Sequence, residues 1–332
     1  MEIGLVAVIV LVCASIFVNG WTDAPNAITT VVSTRVLSPK AAVALAAVFN
    51  LLGVLLMGTA VAKTIGNIID LQPGPDALIT LAAAQVSIVV WAVGAWKFGI
   101  PTSESHALIA GLTGAAMASG GLSSVSWAEW QKVLLGLGIS SVLGFISGWL
   151  ITVLVTKLFG NMKRATANKF FSTGQIISAS AMAFSHGAQD GQKFIGVLTF
   201  GLMLGNVIPM GSEFTIPWWI MVFTSALMAL GTSVGGYRII KTMGMDMVKI
   251  EKYQGFSAEI GASACMIGAT LFGIPLSTTN AKGTAIMGAA AARRLSNVNW
   301  GVVKEMFTAW ILTFPCCALI GYFMALLFRA IF

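Results

Sequence analysis

Residues 99–111 read GIPTSESHALIAG, and residues 273–288 read GIPLSTTNAKGTAIMG. Each stretch sets polar side chains between apolar runs: Thr102, Ser103, Glu104, Ser105 and His106 in the first, Ser277, Thr278, Thr279, Asn280 and Lys282 in the second. How they are drawn decides the fold. If 78–98 crosses a membrane and 105–119 is a separate dip, each half of the chain crosses four times and the halves are parallel. If 78–119 is one re-entrant hairpin with the Gly-Ile-Pro motif at its tip, each half crosses three times and the halves are inverted.

A membrane is the right frame. Of 332 residues, 9% are charged and 57% hydrophobic, where a soluble domain carries about 25% charged residues. Apolar runs long enough to cross ~30 Å of hydrocarbon recur throughout. The expected class is an all-α polytopic membrane protein, and segment 3–18, which lacks a basic leader, reads as a retained helix. The net charge of +7 sits between the hydrophobic segments, so it points to topology and not to nucleic acid. Cys13, Cys265, Cys316 and Cys317 lie in apolar stretches without metal-ligand spacing, which excludes a disulfide framework as the organising principle.

The chain repeats itself weakly. FVNGWTDAPNAI (17–28) and FSHGAQDGQKFI (184–195) share Phe, Gly, Asp and Ile; GIPTSESHA (99–107) and GIPLSTTNA (273–281) share Gly, Ile, Pro, Ser and Ala. The two pairs occur in the same order, so a duplicated unit is the simplest account. The first unit, 1–159, has a broken helix 3–35, a span 40–66, a hairpin 78–119 and a span 131–158. A basic cytoplasmic linker, 160–170, follows. The second unit, 171–332, has a broken helix 171–208, a span 216–241, a hairpin 256–292 and a span 300–331.

Charge separates the two topologies. With hairpins and an external N-terminus, thirteen Lys and Arg fall inside and three, Lys63, Lys132 and Arg329, outside. Cytoplasmic loops collect Lys and Arg, so the expectation is two inverted repeats with both termini outside a multi-pass cell-membrane protein. Trp127, Trp130, Trp218, Trp219 and Trp300 fall near the expected interfaces.

The motifs carry two chemistries. Gly-Ile-Pro ends a helix, because Pro lacks an N–H and restricts the residue before it. New helices then begin at Thr102–Ser105 and Leu276–Thr279, with free N–H groups and a positive dipole end that favour an anion. Thr102, Ser103, Ser105, Ser277, Thr278 and Thr279, with Asn26 and Gln189 from the broken helices, are the candidate anion ligands. Carboxylates need another reason. Asp23, Asp190, Glu104 and Glu259 fall within membrane segments, where each costs roughly 2.5–3.5 kcal/mol on insertion scales. Beside an anion they require a cation, so Asp23, Asp190, Glu104, Glu259 and Asn19 are the candidate cation-coupling groups, with Asp23 and Asp190 as sodium ligands. His106, His186, Lys193, Asn280 and Lys282 read as supporting residues; pairing with a carboxylate suits both lysines. Glu104 has a bland alternative, an outer vestibule and a pair with Lys97. No cofactor is expected beyond a coupling Na+ or H+, and homo-oligomerisation is compatible with such a chain.

NGWTDAPNAI, FSHGAQDGQKFIG, GIPTSESHALIAG and GIPLSTTNAKG together resemble the PiT family of inorganic phosphate transporters, in the family's order and over nearly the whole chain. The resemblance implies cation-coupled phosphate uptake, inverted repeats and external termini, with Asp23, Asn26, Asp190, Ser103, Ser105, Ser277, Thr278 and Thr279 around phosphate and its coupling ions. Thr22, Pro25, Gln189, Asn50, Glu104 and Asn280 depart from the family pattern. Asn50 replaces a frequent Glu, and Glu104 stands where Thr is common, which leaves Na+ against H+ open. Sulfate is carried by a related branch and stays open as the oxyanion. A channel would not need two opposed hairpins. A membrane enzyme acting on phosphate esters would need a nucleophile–base–Arg constellation that the sequence lacks.

Overall fold

Both Gly-Ile-Pro stretches end a helix with the same backbone device. In the computed structural model, which describes residues 2–68, 74–209 and 216–331, Gly99 has φ 71° and Gly273 φ 64°. The N–H of Ile100 reaches back to the Ala95 carbonyl at 3.1 Å, and that of Ile274 to Ala269 at 2.9 Å. This left-handed closure suits glycine and satisfies carbonyls of the last turn. The glycine therefore terminates each helix, and the proline only directs the exit.

The helices in order are α1 (Glu2–Thr22), α2 (Pro25–Ser33), α3 (Pro39–Leu56), α4 (Ala60–Gly66), α5 (Pro75–Phe98), α6 (Glu104–Gly120) and α7 (Trp127–Phe159). Then come α8 (Arg164–His186), α9 (Gln192–Leu204), α10 (Trp218–Gly235), α11 (Tyr237–Lys241), α12 (Lys252–Leu271), α13 (Thr278–Ala291) and α14 (Trp300–Ile331). Among the described residues the only extended pairing is an isolated bridge, Val248 to Val298. Among the described residues six helices are long and apolar enough to cross a membrane, or seven if a bent α10–α11 pair counts as one span.

Helix α7 displays the logic of the packing. Its buried stripe is Gly136, Ser140, Gly144, Gly148 and Thr152, while Leu135, Val142, Ile146 and Trp149 are exposed. Small and polar groups face inward and large apolar ones outward, as in helices whose solvent is hydrocarbon. The inner arms α6 and α13 pack on α14 and α7 respectively. The approach is backbone to backbone: a Cβ on Gly148 would sit 2.2 Å from the Ala285 carbonyl oxygen, and one on Gly114 1.9 Å from that of Ala318. Each inner arm is thus clamped against the closing helix of the other half. Among the described residues two apolar cores result, one holding Ile88, Leu108, Leu198 and Cys317, the other Ile28, Ala183, Ala262 and Ile286. Neither includes residues 102–106 or 277–280.

Several elements depart from expectation. The break in 3–35 is confined to Asp23–Ala24, where Pro25 offers no N–H; Gly4–Ser33 continues as one 30-residue span across it. The break in 171–208 is a single π-helical turn, Gly187–Gly191, a widening common at functional sites. The stretch 160–170 is helical from Arg164 onward. The span at 40–66 divides into α3 and α4 around Gly58, which has φ 73°. The one at 216–241 bends by 65° between Trp218–Val234 and Tyr237–Asp246. Trp127, Trp218, Trp219 and Trp300 are exposed, whereas Trp130 is half-buried and donates to Thr113 Oγ1 at 2.9 Å.

Candidate ion and anion site

The two tips meet. Thr279 Oγ1 lies 3.1 Å from the Thr102 carbonyl oxygen, and the carboxylates of Asp23 and Asp190 converge on the same point with His186. One oxygen from each carboxylate and one imidazole nitrogen all lie within 4.8 Å of one another. Every side chain here is buried, Asp190 and Thr279 completely and Asp23 to 1% exposure.

The tips are held by groups that the sequence did not single out. Thr242 donates to the Gly99 carbonyl at 2.7 Å, and Thr64 donates to the Gly273 carbonyl at 2.8 Å. Trp310 Nε1 donates to the Pro101 carbonyl at 3.0 Å, while Gly136 leaves room beside the Pro275 carbonyl. Thr64 and Thr242 play the same part, each donating to the glycine carbonyl of the Gly-Ile-Pro tip of the other half, but they are not related by the spacing of the repeated motifs, and no sequence signal marked them. Gln189 belongs to this scaffold. Its amide donates to Thr270 Oγ1 at 2.9 Å and the Ile274 carbonyl at 3.2 Å, and its oxygen accepts from the Leu276 N–H at 3.1 Å. Ser103 and Ser277 are N-caps, accepting from the N–H of His106 at 3.3 Å and of Asn280 at 3.1 Å.

The hydroxyls of Ser105, Thr278 and Thr279 point at carboxylates. Thr279 Oγ1 donates to Asp23 Oδ1 at 2.6 Å, and Asn26 Nδ2 donates to the same oxygen at 2.6 Å. Thr278 Oγ1 lies 3.0 Å from Asp190 Oδ2 and 3.4 Å from Asp23 Oδ2, bridging the two acids. Lys193 Nζ contacts Asp190 Oδ1 at 2.7 Å and Ser105 Oγ at 2.6 Å, and donates to the Leu276 carbonyl. His186 Nε2 is 3.4 Å from Asp190 Oδ2, its Nδ1 3.2 Å from Asn50 Oδ1. Asn50, one of the positions where the sequence departs from the resemblance, is thereby tied to the site.

Glu104 is buried to 1% exposure, with no hydrogen-bond partner at standard geometry on either carboxylate oxygen. This rules out the vestibule reading and a pair with Lys97. Asn19 lies beside it, and its amide atoms also lack well-formed hydrogen bonds. His106 stacks on Phe314 at 4.8 Å and leaves Nδ1 unpartnered. An unmatched carboxylate in so dry a place is costly, and its oxygens together with the Asn19 amide are of the type that binds a hard cation or a proton.

Glu259 stands apart, its partners being Thr30, Ser178 and, at 3.7 Å, Lys282. Lys282 Nζ also donates to Thr30 Oγ1 at 3.0 Å. Asn26 and Thr30 on α2 and Thr34 at its C-cap follow at four-residue spacing; at one end Asn26 donates to Thr279 Oγ1 of the tip at 3.0 Å, and at the other Thr34 donates to Gln175 at 2.8 Å. Beyond Thr34 opens a cleft of about 880 Å³, lined in part by Arg35, Arg164 and Lys252.

Comparison with known proteins agrees. Residues 19–321 match the family model described as the phosphate transporter family. The chain is 41% identical over 306 residues to a protein of Rhizobium meliloti (strain 1021) described as a probable low-affinity inorganic phosphate transporter, covering 92% of this chain and 90% of the other. A Bacillus subtilis (strain 168) protein of the same description is 35% identical over 320 residues, covering 96% and 95%. The fold matches a solved structure titled "The sodium-dependent phosphate transporter" with a TM-score of 0.89, at 21% identity and full coverage of both chains. This chain therefore belongs to the phosphate transporter family, a family of transporters and not of enzymes.

Proposed function

We propose that the chain is a secondary active transporter that imports inorganic phosphate together with a cation, Na+ or H+, by alternating access. The observation that carries the reading is the meeting of two helix-start tips over a pair of buried carboxylates. The tips offer N–H groups of their first turns, at Glu104 and Ser105 and at Thr278 and Thr279, that have no intrahelical acceptor. The hydroxyl geometry supplies a reason for coupling. Thr278 and Thr279 each have one proton, and both point it at Asp23 or Asp190. To donate to an anion they must turn away, which leaves the carboxylates in need of another partner. A cation is that partner, so cation and anion favour one another. Asp23, Glu104 and Asn19 are the cation side of this proposal; Thr278, Thr279, Asn26, Ser105 and Thr102 are the anion side, with Ser103, Ser277 and Gln189 shaping the tips.

The inverted-repeat topology, with residues 1–159 and 171–332 as the two units, belongs to the same proposal. It is supported by paired devices: Gly99 with Gly273, Thr242 with Thr64, and the left-handed helix ends at Arg35 and Asn206, both with φ 58°. Single cysteines at Lys163 and Ser124, introduced with the four native cysteines removed, should respond oppositely to an impermeant maleimide. Labelling of Lys163→Cys in intact cells would refute external termini. For transport, labelled phosphate uptake into proteoliposomes is measured with sodium, potassium and proton gradients imposed one at a time. Accumulation above the phosphate gradient supports symport, and equilibration alone indicates a channel. Competition by sulfate at equal concentration tests the oxyanion.

A further inference from the structure

Lys193 lies one turn beyond Asp190 and is completely buried. Its ammonium has three protons and three oxygen partners: Asp190 Oδ1 at 2.7 Å, Ser105 Oγ at 2.6 Å and the Leu276 carbonyl. Those oxygens come from three places, the π-helical turn, the first tip and the second tip. Carboxylate, hydroxyl and main-chain carbonyl are hard oxygen donors, the set that a small alkali or alkaline-earth cation takes from a protein. The ammonium thus sits among ligands suited to a metal ion, and it is covalently attached. Asp23 is different: its partners are Asn26, Thr279 and Thr278, all neutral. Asp190 is neutralised from within the chain, whereas Asp23 and Glu104 look outside it.

We infer that Lys193 is a tethered cation that takes the place of one sodium ion beside Asp190, so that this position is closed to external cations. The inference rests on the phosphate-transport reading of the same site. Two consequences follow. The sodium requirement of this chain, if any, comes from the Asp23–Glu104 side alone. And because the ammonium cannot leave with the substrate, the positive charge at Asp190 stays with the protein in every cycle.

Removing the ammonium should open the position. In proteoliposomes holding the full chain, the ratio of labelled-phosphate uptake in sodium to that in choline, at fixed pH, is expected to rise about tenfold or more from wild type to Lys193→Ala. Lys193→Arg, which keeps the charge, should not gain this response. A second readout needs no transport. Sodium should raise the melting temperature of purified Lys193→Ala more than that of wild type, since a ligand that binds only the folded state stabilises it. An equal sodium-to-choline ratio in wild type and Lys193→Ala, or a sodium-induced melting shift no larger in the variant, overturns the inference. If wild type takes up no phosphate under any gradient, the transport reading fails instead, and the melting comparison still decides whether Lys193 fills a cation position.

Discussion

Asp23 and Asp190 lie in similar motifs, yet the structure surrounds them differently. Asp23 sits where a proline interrupts the helix, and only neutral donors reach it. Asp190 sits in a π-helical turn with Lys193 at 2.7 Å and His186 at 3.4 Å. The backbone devices differ because Pro25 removes an N–H in the first motif, while the second keeps all its donors and widens the turn instead. The lesson is a division of labour. One carboxylate is held in an internal ion pair with Lys193; the other meets only neutral partners, and Glu104 has none at standard geometry. Under the proposed function the two have different work: a fixed centre that joins the tips, and a site whose charge a mobile ion can balance.

The largest effect should come from separating the internal pair. Asp190→Asn leaves the Lys193 ammonium buried without its counter-charge, and breaking such a pair typically costs about 3–5 kcal/mol. A marked drop in melting temperature and loss of uptake are expected, with stability regained in the double variant Asp190→Asn, Lys193→Met. Thermal melting of the purified protein in detergent checks this; full stability of Asp190→Asn alone would erase the contrast between the two acids.

Asp23→Asn tests the other side. It removes a charge whose structural partners are neutral, so melting should change little while uphill uptake falls on the order of 100-fold, about 2.7 kcal/mol. Coupled uptake at the wild-type rate would make Asp23 structural.

Thr278→Ala removes the hydroxyl that lies between both carboxylates. Hydrogen bonds to charged groups contribute roughly 1.5–3 kcal/mol, so the phosphate half-saturation should rise at least about tenfold. Ser103→Ala removes a cap, worth ~1 kcal/mol of helix stability, and should weaken binding less. Equal shifts in the two variants would mean that the Thr278 hydroxyl has no special part in anion binding.

The subtlest effect belongs to Glu104. Glu104→Gln keeps shape and removes the carboxylate that could take a proton or a cation. Phosphate exchange between equal pools should persist, while the dependence of net uptake on sodium or pH should flatten. Uptake measured across a pH series with and without sodium decides the matter: identical profiles in wild type and variant would take Glu104 out of coupling.

Much of this was legible in the residues. Low charge content and recurring long apolar runs determine a helical membrane protein, because hydrocarbon tolerates only internally satisfied backbone. The duplicated Asp motifs and Gly-Ile-Pro motifs mark the site, because carboxylates and clustered hydroxyls are too costly in a membrane to stand there without a partner. Which partner each one found was decided by the tertiary structure. Gln189 and Gln192 lie three residues apart, but only packing sends Gln189 to the second tip and Gln192 to the Val61 N–H at 3.1 Å. Lys193 and Lys282 read alike in sequence, yet one joins the tips and the other pairs with Glu259 away from them. Thr30 and Ser178 carried no sequence signal at all, since an isolated hydroxyl in a helix usually bonds its own backbone. Hydrophobicity and motif chemistry act along the chain and can be read from it. Pairing among buried polar groups depends on how helices distant in sequence are clamped together, here by backbone contacts at small residues such as Gly114 and Gly148, and that geometry exists only in the folded molecule.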